Sequence, residues 1–294
     1  MLTPFDIAIT PDGKYAYVTA ARDDSVFVIE TESNEVVDTI TLGDEPADVT
    51  ITPSGKYAYV SNFRDNTISV IDIENGTDVS DTIASASFIN PQGIAITPSG
   101  KRAYIMNTNG DTISVIDTKT NTLVDVIAAG NIPLDADITP DGKYVYVTNY
   151  LSNSVSVIHT KHNAVIDTIA VGEGPDGIVI TPDGEYAYVA NDYASTEDVG
   201  TVSVIDTDKN KVIATIPVGR FPVEVAITPD GKLILVTNLL DNTISVIDTN
   251  NNSVINTIPL GADHGPVSIA ITHESRRDED GKGILAAFSG GTEI

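Results

Sequence analysis

The sequence predicts an all-β fold built from repeated four-stranded antiparallel sheets, and three observations support this prediction. A twelve-residue pattern, ITPDGKYVYVTN at residues 138–149, returns along the whole chain. Its centre, Pro140 to Gly142, is a turn signal, because proline pre-sets φ, aspartate bonds its own backbone and glycine accepts a positive φ. No segment has the 3.6-residue apolar period of a helix. The pattern therefore predicts a β-hairpin in each copy.

The copies recur at a regular interval. The threonine that precedes the turn is found at Thr10, Thr52, Thr97, Thr139, Thr181, Thr228 and Thr272, so successive copies begin 42 to 47 residues apart. A period of this length is typical of propellers and other repeat architectures.

Each repeat contains four strand signals. The first strand ends at Ile138 and is expected to be shorter than the second, where residues 144–147 are all β-branched or aromatic and predict burial on both faces. The third, TISVID at 67–72, alternates apolar and small polar residues, as in a more exposed strand. The fourth is EVVDTITLG at 35–43, and turns such as TKTN at 118–121 join the third strand to the fourth.

Sheets of this kind stack radially and close into a β-propeller. We expect one propeller domain over residues 1–294, with repeats starting near residues 4, 46, 91, 133, 175, 222 and 266. Seven starts predict seven blades. The last has strand signals only at 266–272 and 284–289, and only three residues precede Pro4 to complete it by strand exchange. We therefore expect an open or half-built seventh blade, or a truncated gene product.

Composition excludes several function classes. Sixteen basic and 42 acidic residues give a formal net charge of −26, which disfavours nucleic acid and anionic membrane surfaces as partners. The absence of cysteine excludes disulfides and thiolate metal sites. No apolar run reaches the roughly 20 residues of a membrane span, so no membrane insertion is expected. Nor does the sequence contain a signal peptide, a nucleophile elbow, a phosphate-binding loop or a zinc-protease motif.

These residues resemble the YVTN β-propeller repeats of surface-layer and exported proteins. The tetrapeptide or a near variant is found at 17–20, 59–62, 146–149 and 188–191, with the TPDG and SVID blocks in register. The resemblance covers nearly the whole chain and implies an extracellular, cell-surface or periplasmic location. It also implies that the first strand of each blade lines a central channel, and that ligands bind the face carrying the fourth-to-first and second-to-third connections.

On that face, carboxylates recur two residues after the proline of the inter-blade loop. They are Asp6, Asp48, Asp135 and Glu224, with Asp137 and Asp176 nearby. Two interpretations remain open. The carboxylates hold a hard cation, Ca²⁺ or Mg²⁺, in the channel, with Asp6, Asp48, Asp135, Asp137 and Glu224 as candidate ligands. Alternatively, they cap backbone N–H groups. For the asparagine that ends each second strand, we expect an Asx turn.

Departures from the repeat are more informative about function than the repeat itself. They concentrate on the same face, where the candidate ligand-binding residues are Arg22, Phe63, Arg64, Tyr150, Tyr193, Arg220 and Phe221, beside an insertion at 194–200. Three of the six arginines lie here, which indicates an anionic ligand. His264 is the candidate catalytic acid–base residue, unless it is a structural loop histidine.

Two hypotheses follow. The first is a non-catalytic cell-surface or exported propeller that binds a protein or small-molecule ligand on its loop face. The alternative is a lyase-like or lactonase-like enzyme at the channel mouth that uses a divalent cation on a small anionic substrate.

Overall fold

The structure is a computed structural model that describes residues 4–75, 77–192, 199–261, 265–271 and 285–289, the last segment by its backbone alone. The described residues form strands and one 3₁₀ turn at Tyr150–Ser152. They contain no helix long and apolar enough to span a bilayer.

The strands follow one another in the order predicted. In sequence they are β1 (Pro4–Ile9), β2 (Tyr15–Ala20), β3 (Ser25–Glu30), β4 (Glu35–Thr41), β5 (Pro46–Ile51), β6 (Tyr57–Asn62), β7 (Thr67–Asp72), β8 (Asp78–Ala84), β9 (Pro91–Ile96), β10 (Arg102–Asn107), β11 (Thr112–Asp117), β12 (Thr122–Ala128), β13 (Pro133–Ile138), β14 (Tyr144–Asn149), β15 (Ser154–His159), β16 (Ala164–Ala170), β17 (Pro175–Ile180), β18 (Tyr186–Asn191), β19 (Thr201–Asp206), β20 (Lys211–Pro217), β21 (Pro222–Ile227), β22 (Leu233–Asn238), β23 (Thr243–Asp248), β24 (Ser253–Pro259), β25 (Pro266–Ile271) and β26 (Leu285–Ser289).

Strands that are consecutive in sequence are neighbours in each sheet. Blades 1 to 6 comprise β1–β4, β5–β8, β9–β12, β13–β16, β17–β20 and β21–β24, all antiparallel. The prediction of an all-β propeller of four-stranded blades is confirmed, but the described residues form six four-stranded blades rather than seven. The remaining sheet has two strands, β25 and β26. β25 packs beside β21 and β1, so the first strands form a closed ring.

The repeated turn is held by its own side chains. The Thr139 hydroxyl donates to Asp141 Oδ1 at 2.7 Å and accepts the Tyr144 N–H at 3.1 Å. Gly142 has φ +70°, which an L-residue rarely adopts. The first strand is as long as the second, six residues each in blade 4. The prediction of a shorter first strand was wrong, because proline is tolerated at the first position of a strand and the strand begins there.

The third strands are buried, contrary to expectation, and the outer fourth strands are the exposed ones. The small polar residues of the third strand satisfy the asparagine that ends the second strand. Asn149 Nδ2 donates to the hydroxyls of Ser154 at 3.2 Å and Ser156 at 2.9 Å, while its Oδ1 accepts the Gly130 N–H at 3.0 Å. The asparagine therefore clamps two strands and a loop instead of forming the Asx turn. The same Nδ2-to-hydroxyl bonds recur at Asn62, Asn107, Asn191 and Asn238.

Neighbouring blades are joined by buried apolar side chains and by a tyrosine. The Tyr146 hydroxyl of blade 4 donates to Asn210 Oδ1 of blade 5 at 2.8 Å, and Asn210 Nδ2 donates back to Asp167 of blade 4 at 3.1 Å. Asn210 has φ +49°, which asparagine tolerates better than most residues. Equivalent tyrosine–asparagine bonds start from Tyr59, Tyr104 and Tyr188. In blade 6, which faces the two-stranded sheet, the tyrosine position is occupied by Leu235.

Candidate functional site

A narrow cavity lies on the propeller axis, at the face that carries the inter-blade loops. Its volume is about 70 Å³, and all seven first strands contribute to its wall. The lining residues are Phe5, Asp6, Asp48, Gln92, Gly93, Leu134, Asp135, Asp176, Val223, Glu224, Val267 and Ser268. The structure thus brings together four of the five carboxylates predicted as metal ligands.

The first two of these carboxylates connect neighbouring blades. Asp6 Oδ2 accepts the Val49 N–H of blade 2 at 2.9 Å, and its Oδ1 accepts the hydroxyl of Ser268 at 2.7 Å. Asp48 Oδ2 accepts the Ile94 N–H of blade 3 at 2.9 Å. Each carboxylate therefore satisfies a backbone donor of the next blade that would otherwise be unpaired.

In blade 4 the carboxylates also cap their own strand. Asp135 accepts the N–H groups of Ala136 at 2.7 Å and Ile178 at 2.9 Å. Asp137 accepts those of Ile138 and Ile180, both at 2.7 Å. This geometry is the one that backbone capping predicts.

Glu224 follows the same scheme, since its Oε1 accepts the Val225 N–H at 2.9 Å. Among the described residues no group of three or more His, Cys, Asp or Glu side chains is placed to hold a metal ion. A metal role for these carboxylates remains a prediction.

Two glycines interrupt the ring of carboxylates for a steric reason. A Cβ on Gly93 would lie 2.3 Å from the Leu134 carbonyl oxygen, and one on Gly177 would lie 2.7 Å from that of Val223. Both distances are too short for any side chain, so blades 3 and 5 approach their neighbours more closely than a carboxylate at this position would permit.

Burial raises the pKa of the channel carboxylates. It raises that of Asp135 to about 7 and that of Asp137 to about 6, against the N–H bonds that lower them. For Asp48, burial and then repulsion from Asp6 and Asp135 raise the pKa well above its ordinary value. Glu224 is shifted in the same direction, by burial first and then by Asp135 and Asp6. Part of the cluster therefore holds protons near neutral pH.

A second acidic feature lies in blade 5, where Asp176 and Asp192 are close together. After burial, repulsion from Asp192 is the largest cause that raises the pKa of Asp176. Asp192 is 3% exposed, its Oδ1 has no hydrogen-bond partner, and burial raises its pKa to about 7. Sequence reasoning placed Asp176 near the channel carboxylates but did not connect it with Asp192.

The candidate arginines are engaged locally. Arg64 forms an ion pair with Glu45, and Arg220 Nε lies 2.6 Å from Asp241 Oδ1, whose other oxygen accepts the Arg220 N–H at 2.8 Å. Arg22 is exposed. These pairs weaken the argument for an anionic ligand, because two of the three guanidinium groups are already partly neutralised.

Apolar side chains surround the channel mouth. Phe63, Tyr150 and Phe221 are half-buried in the loops of this face. Phe221 has φ +55° and the equivalent Ile132 φ +53°, backbone conformations that are unusual for bulky or β-branched residues. The exposed apolar residues on the same loops are Phe5, Ile89, Leu151, Val199 and Leu240.

Tyr193, His264 and residues 194–198 of the insertion lie outside the described residues. His159 and His162 are on the opposite face, where their rings lie 4.8 Å apart.

The opposite face also carries a larger groove, of about 660 Å³, between the turns of blades 2 to 4. Lys101, Arg102, Lys119 and Lys161 line it together with turn residues. Arg102 is paired with Asp117 at 2.5 Å. We place the candidate site at the channel mouth, because buried carboxylates converge there and the departures from the repeat lie on the same face.

Comparison with known proteins places these features among propellers. A family model described as the cytochrome D1 heme domain matches residues 6–181, and one described as a seven-bladed lactonase propeller matches residues 138–255. No curated protein matches the chain. A chain of Kuenenia stuttgartiensis hydrazine synthase superposes with a TM-score of 0.84 at 22% identity, over 98% of this chain and 96% of that chain. At that identity the likeness concerns the fold alone.

Proposed function

The chain belongs to the family of the cytochrome D1 heme domain, and from that premise we propose that it is a non-catalytic propeller. It serves, at the cell surface or after export, as a rigid binding module whose ligand surface is the loop face around the channel mouth. The proposal is carried by a contrast between two groups of side chains. The polar side chains that repeat in every blade form hydrogen bonds to other parts of the propeller, whereas the residues that depart from the repeat are concentrated on the loop face.

The described residues do not fit a heme. The axial cavity of about 70 Å³ is far below the roughly 300–1,000 Å³ of pockets for ligands of drug size. Its carboxylates would repel heme propionates. The larger groove has suitable volume and charge, but its described lining includes no histidine, cysteine or methionine for the iron. Of its two tyrosines, Tyr59 has its hydroxyl bonded to Asn121, and Tyr57 is exposed at the surface. We therefore assign no heme chemistry to these residues.

We further propose that β25 and β26 are an incomplete seventh blade of the YVTN type. β25 occupies the ring position between β21 and β1, and the seven-bladed lactonase model matches residues 138–255, which precede β25. The substitution of tyrosine by Leu235 supports this, because the two-stranded sheet has no third-to-fourth turn among its described strands to receive a tyrosine hydroxyl.

A binding role agrees with the physical properties of the face. Five large apolar side chains are exposed on this face, and the buried core of a protein interface is more apolar than the rest of the surface. The ring of blades beneath is joined by buried hydrogen bonds, so the loops are presented with little conformational freedom. Small entropy loss on binding follows from such preorganisation.

The absence of cysteine permits a direct test. Two single-cysteine variants, Leu151→Cys on the loop face and Lys161→Cys on the opposite face, are each labelled with one photo-crosslinker. Each labelled variant is then incubated with cells that produce the protein. We expect a discrete crosslinked species from position 151 and none from 161. Equal crosslinking from both positions, or crosslinking from 161 alone, contradicts the proposal.

A second candidate is a lactonase-like enzyme that uses a channel cation, and the lactonase match over residues 138–255 favours it. Asp6, Asp48, Asp135, Asp137 and Glu224 would hold Ca²⁺ or Mg²⁺. Calorimetric titration with each ion, followed by hydrolysis assays on a series of lactones, tests it. Stoichiometric binding that Asp135→Ala abolishes, together with metal-dependent turnover, would replace the non-catalytic proposal.

A further inference from the structure

The groove of about 660 Å³ on the face opposite the channel mouth is basic, although the chain is strongly acidic. Its lining includes two acidic side chains, Asp117 and Asp141, and the basic side chains of Lys101, Arg102, Lys119 and Lys161. Asp117 is already paired with Arg102. Asp141 is paired with Lys143 of its own turn at 2.7 Å. Four basic and two acidic residues give the lining a formal charge of +2, whereas the chain carries −26.

The repeated turn of blade 3 lacks the carboxylate that neutralises its lysine elsewhere. In blades 1, 4 and 6 the lysine of this turn pairs with the aspartate of the same turn. Blade 3 has Ser99 in place of that aspartate, and the Ser99 hydroxyl lies 3.2 Å from the Thr97 hydroxyl. The hydrogen bond of the turn is therefore retained, but its charge is lost, and Lys101 forms no ion pair within the described part of the chain. Blade 2 also has a serine there, Ser54, but its lysine pairs with a glutamate of another turn.

Blade 4 loses a carboxylate beside the same groove. It has His159 at the end of the third strand, where blades 1, 2, 3, 5 and 6 have an acidic residue. His159 Nδ1 accepts the Lys161 N–H at 3.1 Å, as Asp117 Oδ1 accepts the Lys119 N–H at 3.0 Å in blade 3. The histidine thus keeps the hydrogen bond of the turn without supplying a negative charge.

The two lysines of these turns are themselves departures from the repeat. Lys119 and Lys161 occupy a position that in the other blades holds Glu32, Glu74, Asp208 or Asn250. Both are exposed, and neither forms an ion pair among the residues that the structure describes. Blades 3 and 4 therefore replace acidic residues by neutral or basic ones at several positions around one groove.

The arrangement indicates the chemistry of a ligand. Three ammonium groups that line one groove repel one another, and an anion with several charges offsets that repulsion. Lysine binds phosphate and carboxylate groups as a point charge. The groove volume lies within the roughly 300–1,000 Å³ of pockets for small molecules. An extended polyanion would also meet the rest of a chain with a charge of −26, which repels it, whereas a small anion contacts only the basic lining.

We propose that the groove between the turns of blades 2 to 4 binds a small anion that carries at least two phosphate or carboxylate groups. Lys101, Lys119 and Lys161 supply the positive charge, and Ser99 leaves Lys101 available for the ligand. The site lies on the face opposite the loop face and goes beyond the proposed function. A small anion yields no crosslinked protein from position 161, so the crosslinking result expected there is unchanged.

Calorimetric titration of the full chain with sodium pyrophosphate, at neutral pH and constant low ionic strength, tests the site. We expect saturable 1:1 binding to the wild-type protein and binding weaker by about fivefold in Lys101→Gln and in Lys161→Gln, since each removes one exposed charge. Lys232→Gln is the matched control. Lys232 occupies in blade 6 the repeat position of Lys101, pairs with Asp230 at 3.1 Å and does not line the groove, so its affinity should match that of the wild type.

A substitution that restores the repeat gives a sharper test. Ser99→Asp introduces the aspartate that blades 1, 4, 5 and 6 have at this position, so the turn accommodates it. We expect the new carboxylate to pair with Lys101 and to weaken pyrophosphate binding by about tenfold or more, because it also repels the ligand. Thermal unfolding establishes that each variant is folded. Unchanged binding by Ser99→Asp, or an equal loss of affinity in Lys232→Gln, overturns the proposal.

Two further anions define the ligand. Citrate is titrated in the same way, and stronger binding of pyrophosphate assigns the groove to phosphate compounds, whereas stronger binding of citrate assigns it to polycarboxylates. Acetate has a single charge, and we expect no saturable binding. Acetate binding as strong as that of the multivalent anions overturns the proposal, as does the absence of saturable binding of both pyrophosphate and citrate.

Discussion

At the scale of single residues, one side chain often serves several contacts that are distant in sequence. Asn149 joins two strands and a loop, and Tyr146 joins two blades through Asn210. The repetition of these residues therefore reflects architecture. Residues that break the pattern, such as Leu235 and Asp192, mark places where the surroundings or the role differ.

Removal of the tyrosine hydroxyl tests the contact between blades. We expect Tyr146→Phe to lower the free energy of unfolding by about 1–2 kcal/mol, because Asn210 Oδ1 and the Thr207 carbonyl lose a donor. Urea denaturation at pH 7 measures it. The matched change in blade 6, Leu235→Tyr, should give no gain, since no asparagine is there among the described residues to accept its hydroxyl. A gain of similar size from Leu235→Tyr would refute this account of the tyrosine.

Backbone conformation offers a second test at this scale. Ile132 has φ +53°, whereas blade 3 has Asn90 and blade 5 has Gly174 at the equivalent position. The left-handed conformation costs most L-residues about 1–2 kcal/mol, and asparagine less. We expect Ile132→Asn to stabilise the protein by up to about 1 kcal/mol, measured as a rise in the urea midpoint at unchanged slope. A fall in the midpoint would mean that the isoleucine side chain contributes more than the strain costs.

At the scale of elements, the strands differ in burial from first to fourth. Second and third strands are enclosed between neighbouring blades, and fourth strands expose residues such as Val36 and Ile166, at 56% and 52%. The spacing between neighbouring first strands is set at positions where a glycine lies against the backbone of the next first strand. Blade-to-blade geometry therefore depends on a few small residues as well as on apolar packing.

Gly93 provides the test for this spacing. Because its Cβ would lie 2.3 Å from the Leu134 carbonyl, Gly93→Ala must push blades 3 and 4 apart, at a cost of about 1–3 kcal/mol. Gly110→Ala is the control, since its nearest neighbours would be 3.3 Å away. Thermal unfolding of the two variants should differ by several degrees. Equal melting temperatures would show that the blades adjust without cost.

The sequence was sufficient to predict the strands, the turns and the propeller, because these depend on local patterns that repeat. It did not predict that Ser156 is buried, since the hydroxyl is satisfied by an asparagine of the preceding strand. Nor did it select Asp176 and Asp192, because their proximity depends on how two loops of one blade fold together. The sequence did contain a signal for both residues, because each is the only acidic residue at its position in the repeat.

At the scale of the whole molecule, the main influence on stability is the excess of acidic residues. The net charge of −26 destabilises the compact state by self-repulsion, which salt screens. The pKa values of two groups of carboxylates are shifted in opposite directions. In the turns, bonds to Lys143 and Thr139 lower the pKa of Asp141 to about 2, and Asp230 is similar. In the channel, burial raises the pKa of Asp135 and Asp137 to about 7 and 6.

These shifts predict a stability maximum in mildly acidic solution. A raised folded-state pKa contributes stability below the unfolded value near 3.8, which is lost as pH rises through 6 to 7. A lowered one contributes stability above 3.8, which is lost as pH falls towards 2. We expect the free energy of unfolding to be greatest near pH 4 to 5 and lower at pH 8. A series of urea titrations from pH 3 to 8.5 measures it, and a maximum at pH 8 would be incompatible with the buried channel carboxylates.

The central claim is that the repeated channel carboxylates maintain the architecture, whereas residues that depart from the repeat, such as Asp192, contribute little to it. Its most direct test is the free energy of unfolding of Asp48→Ala and Asp192→Ala at pH 7. Asp48→Ala leaves the Ile94 N–H without its acceptor and should cost about 1–3 kcal/mol. Asp192→Ala removes one buried oxygen that has no partner, together with the acceptor of the half-buried Tyr150 hydroxyl, and should cost less than about 0.5 kcal/mol. A loss at Asp192 equal to or larger than the loss at Asp48 would contradict the account.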